Sequence, residues 1–185
     1  MNLPLPPEFK QIPGYRFNPT DTELVEDYLK RKVLCCPRPL DMIPILDDVY
    51  SYSPFQLLLN NSGVMDGDTW IFFSQRKTGI NIAKEGYYQV CTEREVKSIN
   101  EVIGFVQTSI FYCGEPPNGY ITDWILEEFR LNPNAVYGRE TNHITQKRIQ
   151  NIVVCKIFRD LQSSDTECDS PLSDIECDLP LSDTE

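Results

Sequence analysis

From Trp70 onward the chain is a succession of runs that favour extended backbone, and this succession most limits its possible folds. The runs are Trp70-Ile71-Phe72-Phe73, Gly86 to Thr92, Val102 to Cys113, Tyr120 to Leu131 and Ile149 to Phe158. Each is rich in β-branched and aromatic residues, which suit a pleated, half-buried surface. Pro116-Pro117-Asn118-Gly119 reads as a turn between the third and fourth runs, with positive φ expected at both Asn118 and Gly119. Helix signals come earlier. Thr20-Asp21-Thr22-Glu23 is a capping box, with Thr20 as N-cap and Glu23 at the third helical position. Leu24, Tyr28 and Val33 follow at helical spacing, Lys30, Arg31 and Lys32 suit the negative C-terminal end, and Pro37 and Pro39 stop the helix. A second, short helix starts at Ser53 with Pro54 in its first position, and Phe55, Leu57 and Leu58 should pack inward. Helices first, then strands in meander order, predict an α+β fold with an antiparallel sheet.

Charge divides the chain. The formal net charge is −11, and residues 160–185 carry nine carboxylates with no Lys or Arg. The remainder holds 19 acids against 17 bases, a net of −2. The last segment reads SDTECDSPL (164–172), SDIECDLPL (173–181) and SDTE (182–185), a repeat with a period of nine. A nine-residue unit is too short for a solenoid repeat with its own core. Dense negative charge with scattered Leu172, Ile175, Leu179 and Leu181 resembles an acidic activation segment or a solubilising tail. The expected organisation is an N-terminal arm over 1–11, a domain over 12–159 and a disordered acidic tail over 160–185.

Catalytic and metal chemistry lack a motif. There is no Gly-rich phosphate loop, no G-x-S-x-G and no H-E-x-x-H, so a non-enzyme is expected. His143 is the only histidine, and it lies in a polar stretch (Arg139 to Gln150) that reads as a surface loop. The seven cysteines form no C-x-x-C pair, which argues against structural zinc, and no other cofactor is implied. Their odd number argues against a disulfide framework. No apolar run reaches the roughly 20 residues of a membrane span, and Met1 to Lys10 lacks the features of a signal peptide. An intracellular, membrane-free protein without a small-molecule substrate is expected. Glu127 and Glu128 are adjacent in a predicted strand and so should face opposite ways. Tyr87 and Tyr88 read as sheet-packing residues rather than base-stacking platforms.

The motifs from Ile12 to Phe158 resemble, in order, the blocks of the NAC domain of plant transcription factors. Pro13-Gly14-Tyr15-Arg16-Phe17-Asn18-Pro19-Thr20-Asp21-Thr22-Glu23-Leu24 is similar to the opening motif P-G-[FY]-R-F-x-P-T-D-x-E-L. Val49-Tyr50 with Ser53-Pro54-Phe55-Gln56-Leu57 is similar to the second block, and Trp70 to Arg76 resembles W-Y-F-F-S-x-R. Phe111-Tyr112 through Thr122 to Leu131 resembles the fourth, and Val153 to Phe158 resembles the closing strand. The resemblance implies a twisted antiparallel β-sheet flanked by a few short helices. It further implies a nuclear regulator of transcription that binds double-stranded DNA in the major groove. Dimerisation with itself or with other NAC-domain proteins would use Arg16 of one chain and Glu23 of its partner.

The DNA-reading strand departs from the family pattern W-K-A-T-G-x-[DG]-[KR]. The matching residues run from Tyr88 to Glu95: Gln89 replaces the Lys, Thr92 the Gly, and Glu95 the last basic position. Val106-Gln107 stands where the family has a double Lys, Glu115 to Gly119 where it has the basic hairpin R-x-P-K-G, and Ile121 where it has another Lys. Each lost cation removes a counterion-release contribution to DNA affinity. Candidate DNA contacts are then Arg76, Lys77, Lys84, Gln89, Thr92, Arg94 and Lys97. Among them Arg94 suits guanine and Gln89 adenine. Two readings remain: a sequence-specific DNA-binding dimer, or a NAC-fold partner with weak or absent DNA binding that modulates intact relatives.

Overall fold

The computed structural model describes residues 17–36, 43–60, 64–66, 69–77, 81–136 and 142–160. Seven strands form one sheet: β1 (Val64–Asp66), β2 (Thr69–Gln75), β3 (Asn81–Ala83), β4 (Gly86–Ser98), β5 (Glu101–Cys113), β6 (Tyr120–Leu131) and β7 (Ile152–Arg159). Their spatial order is β1-β2-β7-β6-β5-β4-β3, and every neighbouring pair is antiparallel. The expected α+β architecture is therefore present. Strands β3 to β7 form the meander, and β2 returns to pair with β7 across a long sequence separation.

Both faces of the sheet are covered at β2, which explains the continuous apolar run at Trp70 to Phe73. Ile71 and Phe73 join one core cluster, whereas Trp70 and Phe72 join the other. A strand buried on both sides loses its polar alternation. The first cluster receives Leu24, Val25, Tyr28, Leu29 and Val33 from the N-terminal helical run. That run comprises α1 (Asp21–Glu23), a π-helical segment (Leu24–Leu29) and α2 (Lys30–Val33). Thr20 caps it as expected: its hydroxyl accepts from the Glu23 N–H at 3.3 Å, and its own N–H donates to Glu23 Oε2 at 2.8 Å. It ends at Val33, before the prolines given that role, which lie outside the described residues. Cys35 turns left-handed (φ 56°), and the Cys36 N–H donates to the Arg31 carbonyl while the Cys35 N–H donates to that of Lys32. This is a Schellman closure without its usual glycine.

On the opposite face, Tyr50 and Leu57 join the second cluster. α3 (Pro54–Asn60) starts where expected, with Ser53 and Gln56 exchanging backbone and side-chain hydrogen bonds. Leu57 packs inward, but Phe55 is 39% exposed, meeting Phe111 and Trp124 only through edge-on contacts. The Leu58 side chain lies outside the described residues.

Three other expectations need correction. The stretch after Asn142 is no loop: α4 (His143–Asn151) begins there, and the Asn142 side chain accepts from the Thr145 N–H at 2.9 Å. Ile149 is its one buried apolar residue, so the sequence carries almost no apolar stripe to reveal the helix. Consequently the last strand starts at Ile152 rather than Ile149. In the β5–β6 connection positive φ falls on Gly114 (99°), not on Asn118 or Gly119, because six residues rather than two span the turn. The two-residue connection is instead Ile99-Asn100 between β4 and β5, with Ile99 at φ 53°. Strands β1 and β3, of three residues each, escaped the sequence reading altogether.

Candidate nucleic-acid interface

β4 extends well past the neighbour on its outer side. β3 pairs only with Gly86, Tyr87 and Tyr88. Beyond Tyr88, β4 pairs with β5 alone among the described residues, and residues 89–95 are all exposed. A strand with one covered face would alternate; seven exposed residues in succession mean that both faces of this stretch meet solvent. The sequence reading ended the strand at Thr92, because Glu93, Arg94 and Glu95 lack β propensity. Pairing with β5 carries it to Ser98 all the same.

The register distributes the side chains. A bulge at Cys91 separates the Val90↔Ser109 and Thr92↔Thr108 pairs. Arg94 lies opposite Val106, and Val96 opposite Gly104, on the face that packs against the N-terminal helical run. Glu93 and Glu95 therefore lie on the other face, opposite Gln107 and Phe105. Of the sequence candidates, Gln89, Thr92, Arg94 and Lys97 share this strand, and Lys84 occupies the turn just before it. Arg76 and Lys77 follow β2, four strand spacings away, roughly 19 Å. The structure thus assembles five of the seven candidates and places two apart.

Carboxylates hold most of these cations. Arg94 Nη1 donates to Asp21 at 2.6 Å and Nη2 to Glu127 at 3.1 Å. Lys97 lies 3.0 Å from Glu95, Arg76 lies 3.8 Å from Glu128, and Lys77 donates to Asp48. Arg130, beside Phe105, donates to Glu93. Lys84 makes no ion pair among the described residues. Glu127 and Glu128 do face opposite ways, Glu127 toward Arg94 and Glu128 into the second core, where it accepts from the Tyr50 hydroxyl at 2.6 Å. Burial lifts the Glu128 carboxyl above the ordinary 4.5, outweighing that hydrogen bond and the Arg76 and Arg130 charges. Asp21, Asp48, Glu127 and Glu128 were not singled out as opponents of the cations. Their pairings span 29 to 73 residues of sequence, and no local pattern announces them.

Tyr87 and Tyr88 are buried, as expected of sheet-packing residues. Their hydroxyls donate to the Pro117 and Tyr52 carbonyls. Arg16 lies outside the described residues. Glu23 is exposed, and the Thr20 N–H and hydroxyl hold its carboxyl below the ordinary 4.5.

Comparison with known proteins agrees with this architecture. The family model described as No apical meristem (NAM) protein matches residues 11–131. NAC transcription factor 56 of Arabidopsis thaliana is 32% identical over 179 residues, covering 87% of this chain and 48% of the relative. NAC domain-containing protein 18 of the same plant is 33% identical over 178 residues, 87% of this chain and 54% of the relative. NAC domain-containing protein 1 of Solanum lycopersicum is 32% identical over 155 residues, 80% and 53% respectively. The chain spans about half the length of these curated relatives.

Proposed function

Because the chain belongs to the NAC family of plant proteins, we propose that it is a nuclear transcription regulator that meets DNA through β4 and works as a dimer. The observation that carries this reading is the exposed stretch 89–95, which pairs with β5 and with no other described strand. The major groove, about 12 Å wide, admits a two-stranded β-ribbon. On such a ribbon Arg94 would address a guanine and Gln89 an adenine. Lys84 and Lys97 at its ends, with Arg76 and Lys77 farther off, would contribute phosphate contacts, and Thr92 would approach the backbone through its hydroxyl. For the dimer, Arg16 of one chain would pair with Glu23 of the other.

A second reading draws on the charge of the same strand. Residues 89–98 contain Glu93 and Glu95 against Arg94 and Lys97, a net of zero. Each cation that stays on a carboxylate releases no counterion from DNA. On this reading the chain is a dimer partner that lowers or redirects the DNA binding of intact relatives.

Fluorescence anisotropy of the full chain against random duplex DNA separates the two. At about 50 mM salt, the DNA-contact reading expects a Kd in the ~1–100 μM range, with a salt slope of only a few phosphates. Arg94→Ala should then weaken binding. No binding up to ~100 μM would eliminate direct contact. The partner reading would next be tested by adding the chain to a DNA-bound NAC relative; unchanged affinity of that relative would eliminate it as well.

A further inference from the structure

Arg94 ties three elements together. It leaves β4 on the face that carries the N-terminal helical run, where Nη1 donates to Asp21 of α1 at 2.6 Å and Nη2 to Glu127 of β6 at 3.1 Å. Sheet register brings Glu127 within reach. Arg94 lies opposite Val106, and Thr108, two residues on in β5, lies opposite Glu127. Helix packing delivers Asp21. Leu24 and Val25, just beyond it, are buried in the first core cluster, and Glu26 reaches the same end of β4, accepting from the Ser98 hydroxyl at 3.3 Å. Both carboxylates are thus carried on elements anchored in the core.

A guanidinium recognises guanine or a phosphate as a planar fork, through two of its N–H groups at once. Here each terminal nitrogen already holds a carboxylate. The Arg94 side chain is nonetheless 46% exposed, so a ligand can reach it. Asp21, Glu127 and Arg94 sum to a charge of −1. An arginine bracketed by two carboxylates attracts a polyanion far less than a bare one. Lys156, opposite Glu127 on β7, holds its Nζ 5.2 Å from the centre of the Phe158 ring. Partly exposed ion pairs are individually weak, so the two contacts scale the affinity of Arg94 for DNA rather than abolish it.

We propose that Asp21 and Glu127 form an intramolecular clamp on Arg94 that lowers the affinity of β4 for duplex DNA. The inference rests on the reading that β4 meets DNA, and it names the residues that restrain that contact. On this account weak binding has two sources: lysines absent from the strand, and an arginine present but withheld. Only the second is reversible, because removing either carboxylate returns a terminal nitrogen of Arg94 to the ligand.

Anisotropy of the full chain against random duplex DNA at about 50 mM salt, run as a double-mutant cycle, tests it. Glu127→Gln and Asp21→Asn should each tighten binding several-fold, and together about tenfold. The log–log salt dependence should steepen by about 0.9 as Arg94 takes up a phosphate. In an Arg94→Gln background the two substitutions together should change affinity by no more than about twofold, through net charge alone. A parent that does not bind, beside released variants that do, supports the clamp most directly. An equal gain in both backgrounds would reduce the carboxylates to bulk charge and overturns the proposal. Unchanged affinity on removing the carboxylates, while Arg94→Gln weakens binding, overturns it too and leaves the DNA-contact reading standing. If neither parent nor released variants bind up to ~100 μM, that reading fails and the clamp falls with it. Should one carboxylate variant misfold, the other, on a different element, decides alone.

Discussion

Single residues carry costs that the fold tolerates. Ile99 holds φ 53° in the β4–β5 turn while 97% exposed, so it gains no burial in return for a left-handed backbone. For a residue with a Cβ this conformation costs ~1–2 kcal/mol. Ile99→Gly should therefore stabilise the domain by about 1 kcal/mol, less a few tenths for glycine's greater unfolded-state entropy. Urea unfolding measures it, and a destabilised variant would show that the side chain has a contact of its own. Glu128 is a second such case. Its carboxyl sits in the core with its pKa raised above 4.5 by burial. The folded state then binds the proton more tightly than the unfolded state, so the contribution is full below 4.5 and is lost as pH rises through the folded value. Glu128→Gln keeps an acceptor for Tyr50 but cannot ionise. Its stability relative to the parent should rise with pH over that window; a pH-independent difference would refute the account.

At the scale of elements, the decisive contact is the N-terminal helical run on the sheet. Gly104 makes it possible: a Cβ there would lie 2.5 Å from the Arg130 carbonyl and 3.1 Å from Val25 Cγ1. Gly104→Ala must push the strand or the helical run aside and should destabilise by about 1–3 kcal/mol. Thermal unfolding would register this, and an unchanged Tm would mean the helical run yields freely. The same packing binds Asp21 of α1 to Arg94 of β4, so the first turn of the first helix and the exposed strand share an ion pair. Elements with strong local signals were legible. The capping box at Thr20 and the strand Tyr120–Leu131 stand where the pattern put them. α4 was not legible, since one buried residue in nine makes no periodic stripe. β1 and β3 were not, because three residues hold too little pattern to register.

For the whole molecule the consequence to test is assembly. The proposed dimer depends on Arg16 meeting Glu23 of another chain, and Glu23 is already engaged by Thr20 of its own. An exposed pair contributes only about 0–1 kcal/mol. Arg16→Glu should therefore weaken the dimer by several-fold rather than abolish it, with the like charges repelling. Light scattering across a dilution series measures this, and an unaltered dissociation profile would remove Arg16 from the interface.

The sequence by itself determined the fold class, the helix-then-strand order and the family, because capping, β propensity and motif order are local properties of the chain. It also marked the strand beginning at Gly86 as the candidate DNA-reading strand. What only the tertiary structure decided is the condition of that strand's cations. Arg94 lies 73 residues from Asp21 and 33 from Glu127, yet donates to both. Sheet register and helix packing bring such groups together, and no short-range pattern encodes that meeting. Residues 89–95 of β4 therefore proved to be exposed, and Arg94 among them is held by carboxylates from the helix beside it and from its own sheet.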